Sequence, residues 1–443
     1  MNHNSAKLQI ERAIRSVAKT ADDLVRSIGS YAERPFLEHR SAQALADFLQ
    51  RQGFKVDFPF KQIPTAFRAE RGRGKPSIGI LGEYDALPDC GRAPGTWGHG
   101  CGHNLLGVAS AVGAIAAAAV LEQNKQPGKI VYYGCPAEEV LAGKAYMARD
   151  GAFRELDACL AWHPGTQTNA TYHGGAALDS ILYAFHGRTA HAARPQGGKS
   201  ALDGAVLFDV AVNYLRESIP ENVRIHAVIV DGGDAPNVVP AYARSWYYIR
   251  GRDRAEVDEV RKQVEDCARG AAIATQTTYT STRIAAIYSR LPNDALFELV
   301  TQQLAFFGST SVTAADKQRA RQLGFTGTFQ GRRPLTGRGE PGRASSDEDT
   351  VSRLTPLGHF RMATQAVGTP SHHRLLAEQS VLPFALRGMK QAGKVLAGTA
   401  VELISHPHWL ARVRNEFKRR TRDTRFDPLI PKRQKLPAIW VGE

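Results

Sequence analysis

Three apolar segments in the first half of this chain each end in a turn rich in Cys, His or Glu, and helical stretches separate them. SIGILGEYDALP (77–88) reads as a strand running into a loop. GHGCGHN (98–104) follows, and then an Ala/Val/Ile-rich helix from about Leu105 to Glu122. KIVYYGCPAEE (129–139) is the next strand and loop, KAYMARDGAF (144–153) the next helix, and DACLAWHPG (157–165) a third strand and loop. Apolar strands alternating with helices specify a mostly parallel sheet covered on both faces. In such a sheet the C-terminal strand ends open into one crevice, where residues distant in sequence converge.

The rhythm changes after Gly174. SILYAFHGR (180–188), SALDGAVLFDVAVNYLRESI (200–219), RIHAVIVDGG (224–233), RSWYYIRGRD (244–253), RAEVDEVRKQVEDCARGAAIAT (254–275) and TYTSTRIAAIYSR (278–290) read as β-α-β-β-α-β. That is the order of a ferredoxin-like unit. With 443 residues the chain exceeds one ordinary domain. We expect an α/β catalytic domain over 1–175 that resumes over 289–410, an inserted ferredoxin-like lid over 176–288, and a basic tail over 411–443. Residues 308–348, rich in Gly, Arg and Thr, read as a long loop, and FRMATQAVGTPSHH (360–373) as one more buried strand and loop.

Composition narrows the class of protein. Five scattered cysteines in a large chain do not suggest a disulfide framework. The first residues read as an amphipathic helix rather than a signal peptide, and the apolar run from Val108 to Leu121 is short for a bilayer span. The expectation is a cytoplasmic protein with no membrane partner. The net charge of +14 raises nucleic acid as a partner, but ten basic residues fall between Arg412 and Lys435, with no nucleic-acid motif beside them. A solvated basic tail, or attraction for anionic small substrates, fits better.

The strand-end residues carry the chemistry. Cys101 and His103 set a soft and an intermediate ligand two apart in a Gly-flanked turn, suited to a divalent transition metal. Glu138 and Glu139 are adjacent carboxylates after a buried strand, and in a crevice they repel unless cations neutralise them. One of the pair would bind metal while the other takes a proton from metal-activated water. His163 and His372 each end a strand, although His373 beside His372 leaves that choice open. Any one of these alone could be a surface carboxylate or a core histidine; four such sites at strand ends make a centre. In the inserted unit His191, in GRTAHAARP, could stabilise an oxyanion across a cleft. Asn237 and Arg250 offer an amide and a guanidinium to a substrate carboxylate.

In their order, GEYDALP, GHGCGHNLLG, GCPAEE, AWHP, AHAARPQGGKSALDGA, PNVVP and AVGTPSHH resemble the metal-dependent amidohydrolase family of aminoacylases, glutamate carboxypeptidases and auxin-conjugate hydrolases. The likeness runs from about Leu8 to Pro431. It implies two divalent ions, zinc or manganese, under a dimerising lid. By position, Cys101, His103, Glu139, His163 and His372 match the metal ligands and Glu138 the catalytic base. His191 matches the lid histidine that enters the partner subunit's site, and Asp85 the acidic residue that orients a ligand behind the metals. One departure is SSDEDT (345–350), where Asp349 and Thr350 replace the Gly and Asp of close relatives; it is expected near the substrate pocket.

The function expected from all this is hydrolysis of the C–N bond of a small N-acyl or N-aroyl amino acid, with Glu138 as general base and acid. One rival reading is hydrolytic deamination of a small aromatic amino acid-like compound at the same site. The other is a non-catalytic binding protein, which an intact Glu138 argues against. Covering only one face of a four-stranded sheet should leave an edge strand free to pair about a two-fold axis, giving a homodimer or a larger homo-oligomer. That edge is expected to be SILYAFHGR or the strand through Ile225 to Val230.

Overall fold

A computed structural model describes residues 3–331, 333–339, 342 and 344–437. The last six residues of the expected tail, 438–443, therefore lie outside the described part. Helices α1 (His3–Tyr31) and α2 (His39–Arg51) lead into strands β1 (Lys55–Asp57), β2 (Phe67–Arg73) and β3 (Ser77–Glu83). Helix α3 (His103–Gln123), β4 (Gly128–Cys135), α4 (Gly143–Arg149), β5 (Ala158–Gly165) and the short β6 (Asn169–Ala170) follow. The chain then builds a second sheet from β7 (Ala177–His186), α5 (Ala201–Leu215), β8 (Arg224–Asp231), β9 (Tyr242–Gly251), α6 (Arg254–Thr275) and β10 (Thr278–Ile287). It returns through α7 (Asp294–Phe307), α8 (Ala314–Gln322), α9 (Glu348–Val351), β11 (Leu357–Ala363), α10 (Arg374–Gln379), α11 (Pro383–Ser405) and α12 (Pro407–Arg420).

The large sheet has the order β1-β2-β4-β3-β5-β11-β6, and its four central strands run parallel. Every residue of β3 is buried, as a strand covered on both faces demands. Helix α3 lies on one face beneath α1 and α11. It is long and apolar enough to cross a membrane, but 94% of its apolar stretch is buried inside the protein, so it is the core helix of the domain. Gly107 permits the close packing, since a Cβ there would meet the Glu83 carbonyl oxygen at 2.6 Å. The other face holds a second core, around α4 and the foot of the inserted sheet.

The inserted unit has the order β10-β7-β9-β8, all antiparallel, with α5 and α6 on one face. Of the two strands expected at an edge, β8 is at one and β7 is central. The second crossover brings β10 in beside β7, which closes that side. Helix α5 stops at Leu215 rather than Ile219, and Ser200 caps its start.

Two other expectations need correction. The loop expected over 308–348 contains α8, whose start is a capping box between Thr313 and Asp316. The basic tail is not a free solvated segment. Trp409, Leu410 and Val413 of α12 enter the main core, and Ile430, 2% exposed, enters the second. Between them the chain crosses the lid junction: Arg283 of β10 donates to the Leu429 carbonyl (3.0 Å), Gln434 to the Arg283 carbonyl (2.6 Å), and Arg149 of α4 to the Gln434 carbonyl (2.7 Å).

Candidate metal centre

The crevice at the C-terminal ends of β3, β4, β5 and β11 gathers the expected ligands. Gly102, in the left-handed region at φ +82°, turns the chain into α3 and sets Cys101 and His103 on either side of the bend. Donor atoms of Cys101, His103 and His163 lie within 4.8 Å of one another, and so do those of Cys101, Glu139 and His372. The two groups share the Cys101 thiol. A third group joins Glu83, His103 and Glu138.

Each side chain is aimed by its neighbours. Asp85 Oδ1 accepts from His103 Nδ1 (2.8 Å), which turns Nε2 into the crevice, and Asp85 Oδ2 accepts from the Glu139 amide (2.8 Å). His163 donates through Nδ1 to the Pro164 carbonyl (2.7 Å) and places Nε2 3.3 Å from the Cys101 sulfur. Before Glu138, Ala137 sits in the left-handed region at φ +55°, held by a hydrogen bond from its amide to buried Glu38 (2.8 Å). His372 and His373 go to different places. His373 Nδ1 accepts from the Leu375 amide (3.1 Å) as the cap of α10, while His372 Nε2 lies 3.7 Å from Glu139. Of the other histidines, His99 is buried against the Ile28 carbonyl, His173 packs on Tyr172, and His359 faces Glu348.

The electrostatics suit cations. Burial, then Glu83 and Glu139, hold the Glu138 carboxyl far above the usual carboxylate range, against the pull of His103. Glu139 is pushed up to about 8, by burial first; Asp85 and Glu83 add to this and His103 opposes it. Cys101 is pushed up to about 12 by burial and Glu139. His163 is pushed down to about 3 by burial, Arg361 and His103. His103 Nε2 and Glu139 Oε1 are buried with no hydrogen-bond partner. Crowded carboxylates, a thiol and orphaned donor atoms at one place are the residues a divalent transition metal pair requires.

Three contributors escaped the sequence reading. Lys144 of α4 is fully buried, with Nζ 2.7 Å from Glu83 and bonded to Asp347. Glu83 Oε2 in turn lies 3.4 Å from His103 Nε2. Glu83 was legible as an acid closing an apolar strand two residues before Asp85; a lysine in a small-residue helix carries no comparable signal. Tyr248 is the third. Alternation along β9 turns Arg244, Trp246, Tyr248 and Arg250 away from α5 and α6. Trp246 and Tyr248 pack on the second core. The Tyr248 phenol is raised by burial, Glu139 and Glu138, and His372 is lowered by burial, His103 and Arg250, so this face lies over the metal crevice.

His191 and Asn237 meet at the exposed lid tip, where the Ala192 amide donates to the Asn237 carbonyl (3.0 Å). Neither touches the Cys/His/Glu cluster of its own chain among the described residues. The SSDEDT departure lies at the lid junction. Asp349 accepts from the Gly175 amide (2.8 Å) on the incoming link and from Arg290 Nε (2.6 Å) on the outgoing one. Asp347 alone reaches the crevice, through Lys144.

A parallel sheet with such donors at its strand ends, under an inserted ferredoxin-like lid, defines an amidohydrolase-type enzyme. The chain belongs to the M20 peptidase family. Residues 173–275 match the family's peptidase dimerisation domain. Over 96% of its length the chain is 35% identical to a component chain of the p-aminobenzoyl-glutamate hydrolase of Escherichia coli K12, covering 97% of that protein. It is 31% identical to the human Xaa-Arg dipeptidase over 95% of this chain and 94% of that one. Among solved structures, an aminobenzoyl-glutamate utilization protein from Klebsiella pneumoniae shares the fold at TM-score 0.63 and 19% identity, over 89% of this chain and 98% of that one.

Proposed function

We propose that this protein hydrolyses the amide C–N bond of a small N-acyl or N-aroyl amino acid, using two divalent cations, zinc or manganese. Cys101, His103 and His163 would hold one ion, and Cys101, Glu139 and His372 the other. The observation that carries this reading is the Cys101 thiol common to two three-donor groups, beside buried, unpartnered His103 Nε2 and Glu139 Oε1. Bound there, the ions would supply Lewis acidity to water and to the scissile carbonyl. Glu138 takes the proton of the attacking water and returns it to the leaving nitrogen. Asp85 holds the His103 ring and the Glu139 backbone in place. Arg250 faces the substrate carboxylate from the lid, and Tyr248 narrows the crevice beside it.

The lid supports a two-fold assembly. Val206 (46% exposed), Val210 (43%) and Tyr214 (80%) form an apolar row on α5, and Ile229 (49%) adds an exposed apolar side chain on the same face of edge strand β8. A second copy of this chain, paired through β8 and α5, would cover the row and carry His191 and Asn237 toward the partner's crevice. We take 176–288 as this lid and dimerisation domain. The names of the relatives, a p-aminobenzoyl-glutamate hydrolase and a dipeptidase, agree with an amide as substrate.

A panel of N-benzoyl- and N-acetyl-amino acids, p-aminobenzoyl-glutamate and Xaa-Arg dipeptides, with metal analysis of the purified protein, tests the reading. Turnover should disappear on chelation and return with a single added cation. Glu138→Gln should keep its metal and lose about 10²–10⁴-fold in kcat. Activity within a few-fold of wild type in that variant, or a protein that binds no metal, overturns the proposal. Release of ammonia in place of an amino acid would convert it to deamination.

A further inference from the structure

Strand β11 is buried along its length except at Arg361. Arg361 is paired with His163 on parallel β5, so the two side chains leave the same face of the sheet about 4.8 Å apart. Phe360 and Met362 point the other way into the main core. The Arg361 stem leans toward the active crest, because its Cδ lies 3.8 Å from where a Cβ on Gly165 would stand, two residues beyond His163. The guanidinium makes no hydrogen bond or ion pair among the described residues.

Behind it the protein holds unused hydrogen-bonding capacity. His359, two residues earlier on the same face, is 7% exposed and its Nδ1 has no partner. The Arg290 side chain, 5% exposed, spends Nε on Asp349 and Nη2 on Glu348, leaving Nη1 without a partner. Asp349 and Glu348 offset the Arg290 charge, and His359 is kept neutral by burial, Arg290 and Arg361. Arg361 is therefore the one charge of the group that is exposed and has no ion-pair partner among the described residues. On the opposite flank Arg250 stands near His372.

We infer that Arg361, backed by His359 and Arg290, is an anion subsite on the His163 side of the centre, and that the substrate carries an anionic group at its acyl end as well as the amino-acid carboxylate. This rests on the amide-hydrolase reading. The substrate class it names is an amide between a dicarboxylic acid and an amino acid. A planar guanidinium with no partner binds a carboxylate through two parallel hydrogen bonds, which an ammonium cannot reproduce.

The test compares N-succinyl-leucine with N-acetyl-leucine on metal-loaded enzyme. Wild type should prefer the succinyl substrate. Arg361→Gln should lower kcat/KM for it about 10–100-fold and leave N-acetyl-leucine within about two-fold. Arg361→Lys should restore only part of the preference. The melting midpoint should not move, since Arg361 holds nothing in the fold. Equal losses on both substrates, or no preference in wild type, overturn the inference. Calorimetry with succinate and butyrate separates it from the amide reading. Tighter binding of succinate that Arg361→Gln abolishes supports the subsite even if no amide is cleaved, and equal binding of the two acids removes it.

Discussion

Glu38 offers a clean test of how burial tunes the carboxylates behind the site. Its side chain is fully buried; Oε1 accepts from the Phe36 amide (2.9 Å) and the Ala137 amide (2.8 Å), and Oε2 has no partner. Burial, reinforced by Asp85, raises its carboxyl from 4.5 to about 8. A folded-state value above the unfolded one means that the native protein holds a proton the unfolded chain releases. The stabilisation is complete below about pH 4.5 and is lost as pH rises through about 8, at roughly 1.4 kcal/mol per pH unit. Between about pH 5.5 and about pH 8 this single group costs on the order of 3 kcal/mol. With an unfolding entropy of about 2.1 cal/mol/K per residue, the midpoint of a chain this size moves roughly 1 °C per kcal/mol. Glu38→Gln keeps the oxygen that accepts both amides and has no proton to lose. Its melting midpoint relative to wild type should rise by about 3 °C across that pH range in metal-loaded protein. Parallel pH profiles for the two proteins would show that Glu38 is ionised in the fold and would refute the argument.

Three further outcomes follow from packing, charge and assembly. Lys144→Met leaves Glu83 and Asp347 buried without their cation, and should cost about 3–5 kcal/mol; adding Asp347→Asn should recover part of it. A single variant that melts with wild type would mean that the two carboxyls are already neutral. Val210→Asp, placed in the exposed apolar row of α5, should shift the protein to monomer in analytical ultracentrifugation and lower turnover with it. Mixing inactive His191→Ala with inactive Glu138→Gln under subunit exchange should restore part of the activity, and fully exchanged hybrids that stay inactive would exclude action of His191 across the interface.

What was legible in the amino-acid order is what lies locally in the chain. His163 lies near the C-terminal end of its strand, Glu138 and Glu139 follow β4 directly, and Cys101, His103 and His372 lie in the longer loops that leave β3 and β11; parallel topology carries such positions to one edge of the sheet. The β-α-β-β-α-β order likewise implies the lid's architecture, yet which strand is exposed depends on where the second crossover lands, and β7 reads the same at an edge or in the centre. Residues that act through space on another element's ligands leave no local mark. Lys144 reaches Glu83 and Asp347 from a helix with no polar face to betray it, and Tyr248 comes down from the lid. Asp349 in SSDEDT is instructive because the departure was visible and its consequence was not. A carboxylate in place of glycine was expected to alter the pocket, but it accepts hydrogen bonds from both links of the lid at once. The Asp349 carboxylate therefore ties the incoming and outgoing links of the lid to each other, a role set by residues more than fifty positions away in the chain.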